Sequence, residues 1–256
     1  MSERADKFFA THFGSRSKAA QALARGLVLK NGKALSPSDP VNGDETFIFL
    51  QEETHFVSNG GYKLHRLLTK YPISLKGKTV ADIGASTGGF TDCLLQNGVR
   101  KVYAIDVGES LLDKTLQNDP RIVRMENTNA RYLTRDDFPD ALDAVSVDVS
   151  FISLTHLLPV VSLLLPKDGE AYALIKPQFE CGREIGKGGI LKDSRKRIKI
   201  VEDICAFATE QGLIPQGLVN APLTEKKNVE YMVWLKKEAQ QGMTSYQISE
   251  VAKNLI

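Results

Sequence analysis

Short apolar runs divide the chain into two stretches of different rhythm. In the first 50 residues, Phe8, Phe9, Phe13, Ala20, Leu23 and Ala24 predict two short helices broken near Gly14. LVLKNGKAL then predicts a hairpin with Asn31-Gly32 as its two-residue turn. Pro37 and Pro40 mark a loop, and the alternation in ETFIFL predicts a strand over Glu45–Leu50. From about Lys63, short apolar runs alternate with helical segments. The predicted strands are Thr79–Ile83, Val102–Ile105, Ile122–Met125, Ala144–Val149, Ala171–Ile175, Leu213–Val219 and Glu230–Leu235. The predicted helices are Lys63–Lys70, Gly89–Asn97, Leu111–Leu116, Ser153–Leu164, Ser194–Gln211 and Ser245–Leu255. Strands separated by helices predict a doubly wound α/β sheet with ligands at its carboxyl edge. Two consecutive strands at the end predict that one runs antiparallel.

Composition narrows the class. With 256 residues, 42% of them apolar and 25% charged, the chain has the balance of a soluble globular protein with one large domain and a small appendix. Cys93, Cys181 and Cys205 are too far apart for a disulfide framework or a zinc site of usual spacing, which fits a reducing cytoplasm. The most lipid-like run, Leu157–Leu165, contains a proline and is far short of the about 20 residues of a spanning helix. A cytoplasmic protein without a membrane partner is expected.

Candidate chemistry begins after the first strand of the larger stretch, at Asp82-Ile83-Gly84-Ala85-Ser86-Thr87-Gly88-Gly89-Phe90. Glycines there let the backbone turn tightly and approach a ligand at a helix N-terminus. The spacing is neither that of a dinucleotide fingerprint nor that of a P-loop. Asp106 closes the second strand, followed by Val107, where an acid can accept both ribose hydroxyls of a nucleoside ligand. An acid before the glycines, the glycine turn and an acid ending the next strand together resemble a class I S-adenosylmethionine methyltransferase.

The resemblance becomes specific in DIGASTGGFTDCLL, AIDVG, NTNAR, VDVSFISL, IKPQFE, GKGGI and NVEYMVWL, which occur in the order seen in the TlyA (hemolysin A) family. That family is similar to FtsJ-type ribose 2′-O-methyltransferases preceded by a small RNA-binding domain. The resemblance implies a Rossmann-like class I sheet, mostly parallel with one antiparallel strand near the C-terminus, behind a small α+β N-terminal domain. It implies S-adenosylmethionine held by Asp82, Gly84, Ala85, Ser86, Thr87, Gly88, Gly89, Phe90, Asp106, Val107 and Asn129. For Asn129, in NTNAR, a contact to adenine and a turn-forming role both fit. Lys63, Asp148, Lys176 and Glu230 fall where the FtsJ-type Lys-Asp-Lys-Glu tetrad lies. A ribose 2′-hydroxyl stays protonated at neutral pH, so transfer needs a positioned base. Lys176 is the candidate base; alternatively the tetrad orients the hydroxyl and water takes the proton. Without the resemblance, the four would read as two ordinary ion pairs at strand ends.

The opening residues resemble the ribosomal-protein-S-four type of RNA-binding domain. The net charge of +2 conceals seven basic residues against Glu3 and Asp6 within residues 1–36. Arg4, Arg16, Lys18 and Arg25 are candidate phosphate contacts, with Ser15 expected to cap the second helix. A second basic run holds Arg183, Lys187, Lys192, Arg195, Lys196, Arg197 and Lys199, either an RNA-facing loop or a solvated face. Two departures from the family pattern stand out. Ser58-Asn59-Gly60-Gly61 replaces a Ser-Arg-Gly-Gly junction, and Arg4-Ala5-Asp6 replaces Arg-Leu-Asp. The expected organisation is an RNA-binding domain over 1–51, a linker over 52–60, a methyltransferase domain over 61–237 and a helical tail over 238–256. The expected reaction is methyl transfer to a ribose 2′-hydroxyl, implied to be a cytidine of small- or large-subunit ribosomal RNA, free or in a ribosomal subunit. A membrane-active hemolysin and a non-catalytic ribosome-assembly factor are the competing classes.

Overall fold

The computed structural model describes residues 2–24, 26–31, 33–49, 55–182, 189–221 and 228–254. They form two compact units, one of the described residues up to His55 and the other of those from Phe56 on.

The N-terminal unit contains β1 (Glu3–Arg4), α1 (Ala5–Phe8), α2 (Arg16–Ala24), β2 (Val28–Lys30), β3 (Lys33–Ala34), β4 (Pro40–Val41) and β5 (Phe47–Phe49). The expected hairpin forms with β5 on its other side, giving the antiparallel order β3-β2-β5. Asn31 has φ +51°, as the turn chemistry requires, while Gly32 is outside the described residues. The β1–β4 pair was not expected, since two residues a side give no periodicity to detect. Ala5, Phe9, Ala19, Leu23, Val28, Leu35 and Val41 form the core of this unit. Ser15 Oγ accepts from Lys18 N at 3.2 Å, the expected cap of α2.

Asp6 is 5% exposed, and two arginines hold it. Arg4 donates from Nε and Nη2 at 3.1 and 3.0 Å, one bond to each carboxylate oxygen. Arg16 adds bonds to Oδ2 from Nε and Nη2 at 3.2 and 3.1 Å. Hydrogen bonding from Arg4, then from Arg16, holds the Asp6 carboxyl below its ordinary range.

The larger unit contains α3 (Asn59–Lys70), β6 (Thr79–Ile83), α4 (Gly89–Gln96), β7 (Lys101–Ile105), β8 (Ile122–Met125), β9 (Ala144–Val147), α5 (Leu158–Leu164), β10 (Glu170–Ile175), α6 (Pro177–Glu180), α7 (Ser194–Glu210), β11 (Leu213–Asn220), β12 (Tyr231–Lys237) and α8 (Ser245–Lys253). All seven predicted strands form one sheet in the order β11-β12-β10-β9-β6-β7-β8. β12 is the reversed strand, antiparallel to both β10 and β11. β6 and β9 are buried at every position, as central parallel strands covered on both faces are, including the polar Thr79, Asp82 and Ser146. Two apolar clusters cover the faces of the sheet, one containing Val161, Val201, Ile204 and Ile248, the other containing Leu64, Leu67, Cys93 and Leu94.

Three elements differ from expectation. α3 begins at Asn59 rather than Lys63, and Phe56, in the expected linker, is buried in the core of this unit. The segment Leu111–Leu116 is not a helix. Asp113 Oδ1 accepts from Thr115 N at 2.9 Å, an Asx turn, while Leu112 and Leu116 pack over Gly88. The Ser153–Leu164 segment splits into a 3₁₀ turn, Leu154–His156, and α5, at whose second position Pro159 is tolerated.

Asp6→Asn should destabilise the N-terminal unit by about 1–2 kcal/mol, a modest figure because the arginines are more than half exposed. A carboxyl held low contributes stability above about pH 4 and loses it on protonation below that value. Amide protection across α1 and α2, taken relative to the intrinsic exchange rate at each pH, should therefore fall in wild type, but much less in the variant, as pH drops below about 4.

Candidate active site

Two glycine pairs shape the carboxyl edge. After β6 the backbone turns at Gly84, φ +81°, where a Cβ would overlap the Asp148 carbonyl oxygen. It turns again at Gly88, φ +92°, where a Cβ would overlap Leu116. Gly89, opening α4, meets the start of α3. A Cβ on Gly89 would lie 2.9 Å from Gly61 N, and one on Gly61 would lie 2.9 Å from Gly89 O. Only paired glycines permit this approach, and it carries Lys63, one helical turn on, to the sheet edge.

Asp82 does not face the cleft. It is fully buried under the glycine turn, accepting from Thr91 Oγ1 at 2.6 Å and Ser146 Oγ at 2.8 Å. Burial pushes its carboxyl up to about 6, against those two bonds. Asp106 orders the turn from the other side, its Oδ2 accepting from Ser86 N and its Oδ1 from Gly108 N, both at 2.9 Å.

A cleft of about 820 Å³ opens here, lined among others by Gly84, Ser86, Asp106, Val107, Asn129 and Asp148. Ala85, Thr87, Gly89 and Phe90 line an adjoining recess of about 150 Å³, with Ser58 and Lys176. Gly88 lines neither among the described residues. Asn129 serves the turn reading, its Oδ1 accepting from Arg131 N at 3.2 Å, and still lines the cleft.

All four tetrad positions come to this edge. Lys176 Nζ lies 2.6 Å from Asp148 Oδ1, and Lys63 Nζ lies 2.6 Å from Glu230 Oε2. β9 and β10 are parallel neighbours, so Asp148 and Lys176 both follow strand ends. β12 runs the other way with Tyr231 opposite Ile175, so Glu230 precedes its strand and reaches the same edge. Two polar residues extend the network. Gln178 Nε2 donates to Glu230 Oε1 at 2.9 Å, and Lys176 Nζ donates to Ser150 Oγ at 2.9 Å. Sequence reasoning gives neither a role, although each lies two residues beyond a tetrad position, in IKPQFE and VDVSFISL. Beyond Ser150 the backbone is strained at Phe151, φ +65° and 90% exposed, whose ring tilts against Phe179 at 4.9 Å. Glu180 holds the cleft-lining Ser153 from behind, accepting from Ser153 Oγ and from Leu154 N, and burial raises its carboxyl above the ordinary range.

The other sequence candidates fall elsewhere. Arg4 and Arg16 are the two that grip Asp6, Lys18 is exposed, and Arg25 is outside the described residues, as are Arg183 and Lys187. Arg197 is buried and donates to Tyr231 Oη at 2.9 Å, so it belongs to the core rather than to a solvated face. Cys93 is buried and its thiol is pushed well up, in keeping with a packing role. Among the described residues no group of His, Cys, Asp or Glu is arranged to hold a metal.

The sequence profile described as FtsJ-like methyltransferase matches residues 56–237. The chain belongs to the FtsJ-like methyltransferase family. Within it, the chain is 35% identical over 246 residues to the 16S/23S rRNA (cytidine-2′-O)-methyltransferase TlyA of Mycobacterium tuberculosis, spanning 94% of this chain and 92% of that one. It is 41% identical over 234 residues to YqxC of Bacillus subtilis, a candidate rRNA methyltransferase, spanning 89% and 83%. A solved structure, a candidate hemolysin from Streptococcus thermophilus, superposes with a TM-score of 0.75 at 37% identity, covering 98% of this chain and 94% of that one. As a member of this family the chain is an S-adenosylmethionine-dependent methyltransferase.

The cleft fits that cofactor. A backbone that no Cβ obstructs at Gly84, a carboxylate at Asp106 able to take a ribose diol, and exposed apolar walls at Val107 and Leu111 match its three parts. When bound, S-adenosylmethionine supplies an electrophilic methyl group.

The raised Asp82 carboxyl makes a signed prediction. The folded state binds its proton more tightly than the unfolded chain, so stability is greatest below about pH 4 and falls as pH rises to about 6. The loss is on the order of 1–3 kcal/mol. Asp82→Asn should remove that decline, seen as a melting-temperature difference between variant and wild type that grows in the variant's favour from pH 4.5 to 7.

Proposed function

We propose that this chain methylates a ribose 2′-hydroxyl of ribosomal RNA, with cytidine as the nucleoside. The reading rests on the two ion pairs, Lys176–Asp148 and Lys63–Glu230, at the rim of a cofactor cleft. The rRNA cytidine named for the 35% identical TlyA supports the substrate class. Lys176 is the general base, since its amine is buried, lines the recess beside the glycine turn and stands at the strand end where the target hydroxyl must enter. Asp148 orients that amine. Lys63, held by Glu230 and in turn by Gln178, supplies positive charge for the developing alkoxide.

The N-terminal unit is the RNA handle in this reading. Arg4 and Arg16 have a structural duty at Asp6, yet their side chains are 53% and 59% exposed and retain donors for phosphate. Lys18 is free of that duty, so it is the cleaner probe. The substrate is ribosomal RNA, either free or within a subunit. For the hemolysin reading, no helix among the described residues is long and apolar enough to cross a membrane.

Three variants separate the roles. Asp106→Ala should weaken S-adenosylmethionine binding by about 1–3 kcal/mol in titration calorimetry, through loss of charge-assisted bonds to ribose and the freed glycine turn. Lys176→Ala should leave that affinity nearly unchanged and suppress methyl transfer to ribosomal RNA. Substantial turnover in it would transfer the proton abstraction to water.

Lys18→Glu should raise the KM for ribosomal RNA and flatten the salt dependence of binding, with cofactor affinity untouched. Unchanged RNA binding at all salt concentrations would make the basic face ordinary solvated surface. Mapping ribose methylation in RNA from a strain lacking the protein tests the reaction and names the target nucleotide.

A further inference from the structure

A base that takes a proton in each turnover must lose it before the next. Lys176 is poorly placed to lose it directly, being 8% exposed. Among the described residues its ammonium has two polar protein contacts. One is Asp148 Oδ1, at 2.6 Å, which can take a proton only by giving up the charge that orients the lysine. The other is Ser150 Oγ, at 2.9 Å. A hydroxyl accepts and donates at once, so it can pass a proton on without changing its own charge. Ser150 is exposed, and it lines both the large cleft and the recess. Asp148 also lines both, but Ser150 is the neutral and more exposed of the two, touching the amine on one side and open solvent on the other.

We propose that Ser150 is the proton relay that returns Lys176 to its neutral form, an inference that rests on Lys176 being the base. The target O2′–H bond breaks and an N–H bond forms at Lys176 Nζ. The ammonium then releases a proton to Ser150 Oγ, whose own O–H bond breaks towards a water molecule in the cleft. Lysine ends neutral, serine ends unchanged, and the solvent carries the proton.

Two measurements test this, one of them independent of RNA and of the methyl donor. In the full-length protein labelled with ¹⁵N-lysine, exchange of the Lys176 Nζ protons with water is read by NMR, the signal being assigned through its loss in Lys176→Arg. Ser150→Ala should slow that exchange about tenfold, and Ser150→Thr, which keeps the hydroxyl, should restore most of it. In methyl transfer to ribosomal RNA, Ser150→Ala should lower kcat about tenfold at low buffer concentration, with little change in the KM for RNA. Added imidazole, small enough to enter the cleft, should recover much of that loss, because it can collect the proton in place of the hydroxyl.

Exchange in Ser150→Ala at the wild-type rate would overturn the relay. So would a kcat loss that neither imidazole nor Ser150→Thr repairs, since the hydroxyl would then merely hold Lys176 in place. Full activity of Lys176→Ala is a different failure. It would remove the base assignment and the relay together, whereas the first two outcomes leave that assignment standing if Lys176→Ala is inactive.

Discussion

The contact between Gly60-Gly61 and Gly89 is the constraint on which the active edge depends. Two helices begin there with their backbones closer than any side chain allows. The contact does two things at once. It gives the cofactor turn its floor, and it anchors α3 so that Lys63 reaches Glu230, far away in sequence, just ahead of β12. Asp92, in the first turn of α4, adds a tie by accepting from Val57 N at 2.8 Å. The replacement of an arginine by Asn59 leaves this contact untouched, because the two glycines that follow it are present.

Charge placement around the edge follows one rule. Each lysine has its own carboxylate, and each pair has one neutral partner, Gln178 at Glu230 and Ser150 at Lys176. A buried cation with one acidic partner is costly unless its remaining donors are satisfied. The neutral amide and hydroxyl satisfy them without cancelling the charge that chemistry needs. Asp82 is the contrasting case, a carboxyl in the same region with hydroxyl partners and no cation, and its affinity for a proton rises accordingly.

Much of this was legible in the sequence because it is local. The seven strands announce themselves as apolar runs, the glycine turn as a spacing, and Asp106 as an acid ending a strand. The tetrad positions were legible only by resemblance, since nothing in the spacing of Lys63 and Glu230 reports that they meet. The glycine pairs were visible as letters but not as partners. The same holds for Asp6 with Arg4 and Arg16, where three charged residues expected at a surface form one cluster around a buried acid. Leu111–Leu116 was misjudged because its apolar residues have helical spacing while Asp113 offers the backbone a competing bond. In each case the missing information is a contact between distant segments, or a side chain competing with the helix.

The reversed strand has a consequence of its own. In a parallel strand, an active residue lies beyond the last paired position and can be re-aimed by the loop that follows. Glu230 instead lies just ahead of the first paired position of β12, with Tyr231 already opposite Ile175 and Asn220. Tyr231 donates to Ala252 O of α8 at 3.0 Å and accepts from Arg197 of α7, so its place is fixed from outside the sheet. A slip of one residue would draw the glutamate into the ladder and turn every side chain of the strand to the opposite face. Register fidelity and chemical competence are therefore a single property here. Substitutions that loosen the terminal helix, remote from any substrate, would be felt as a misaligned glutamate.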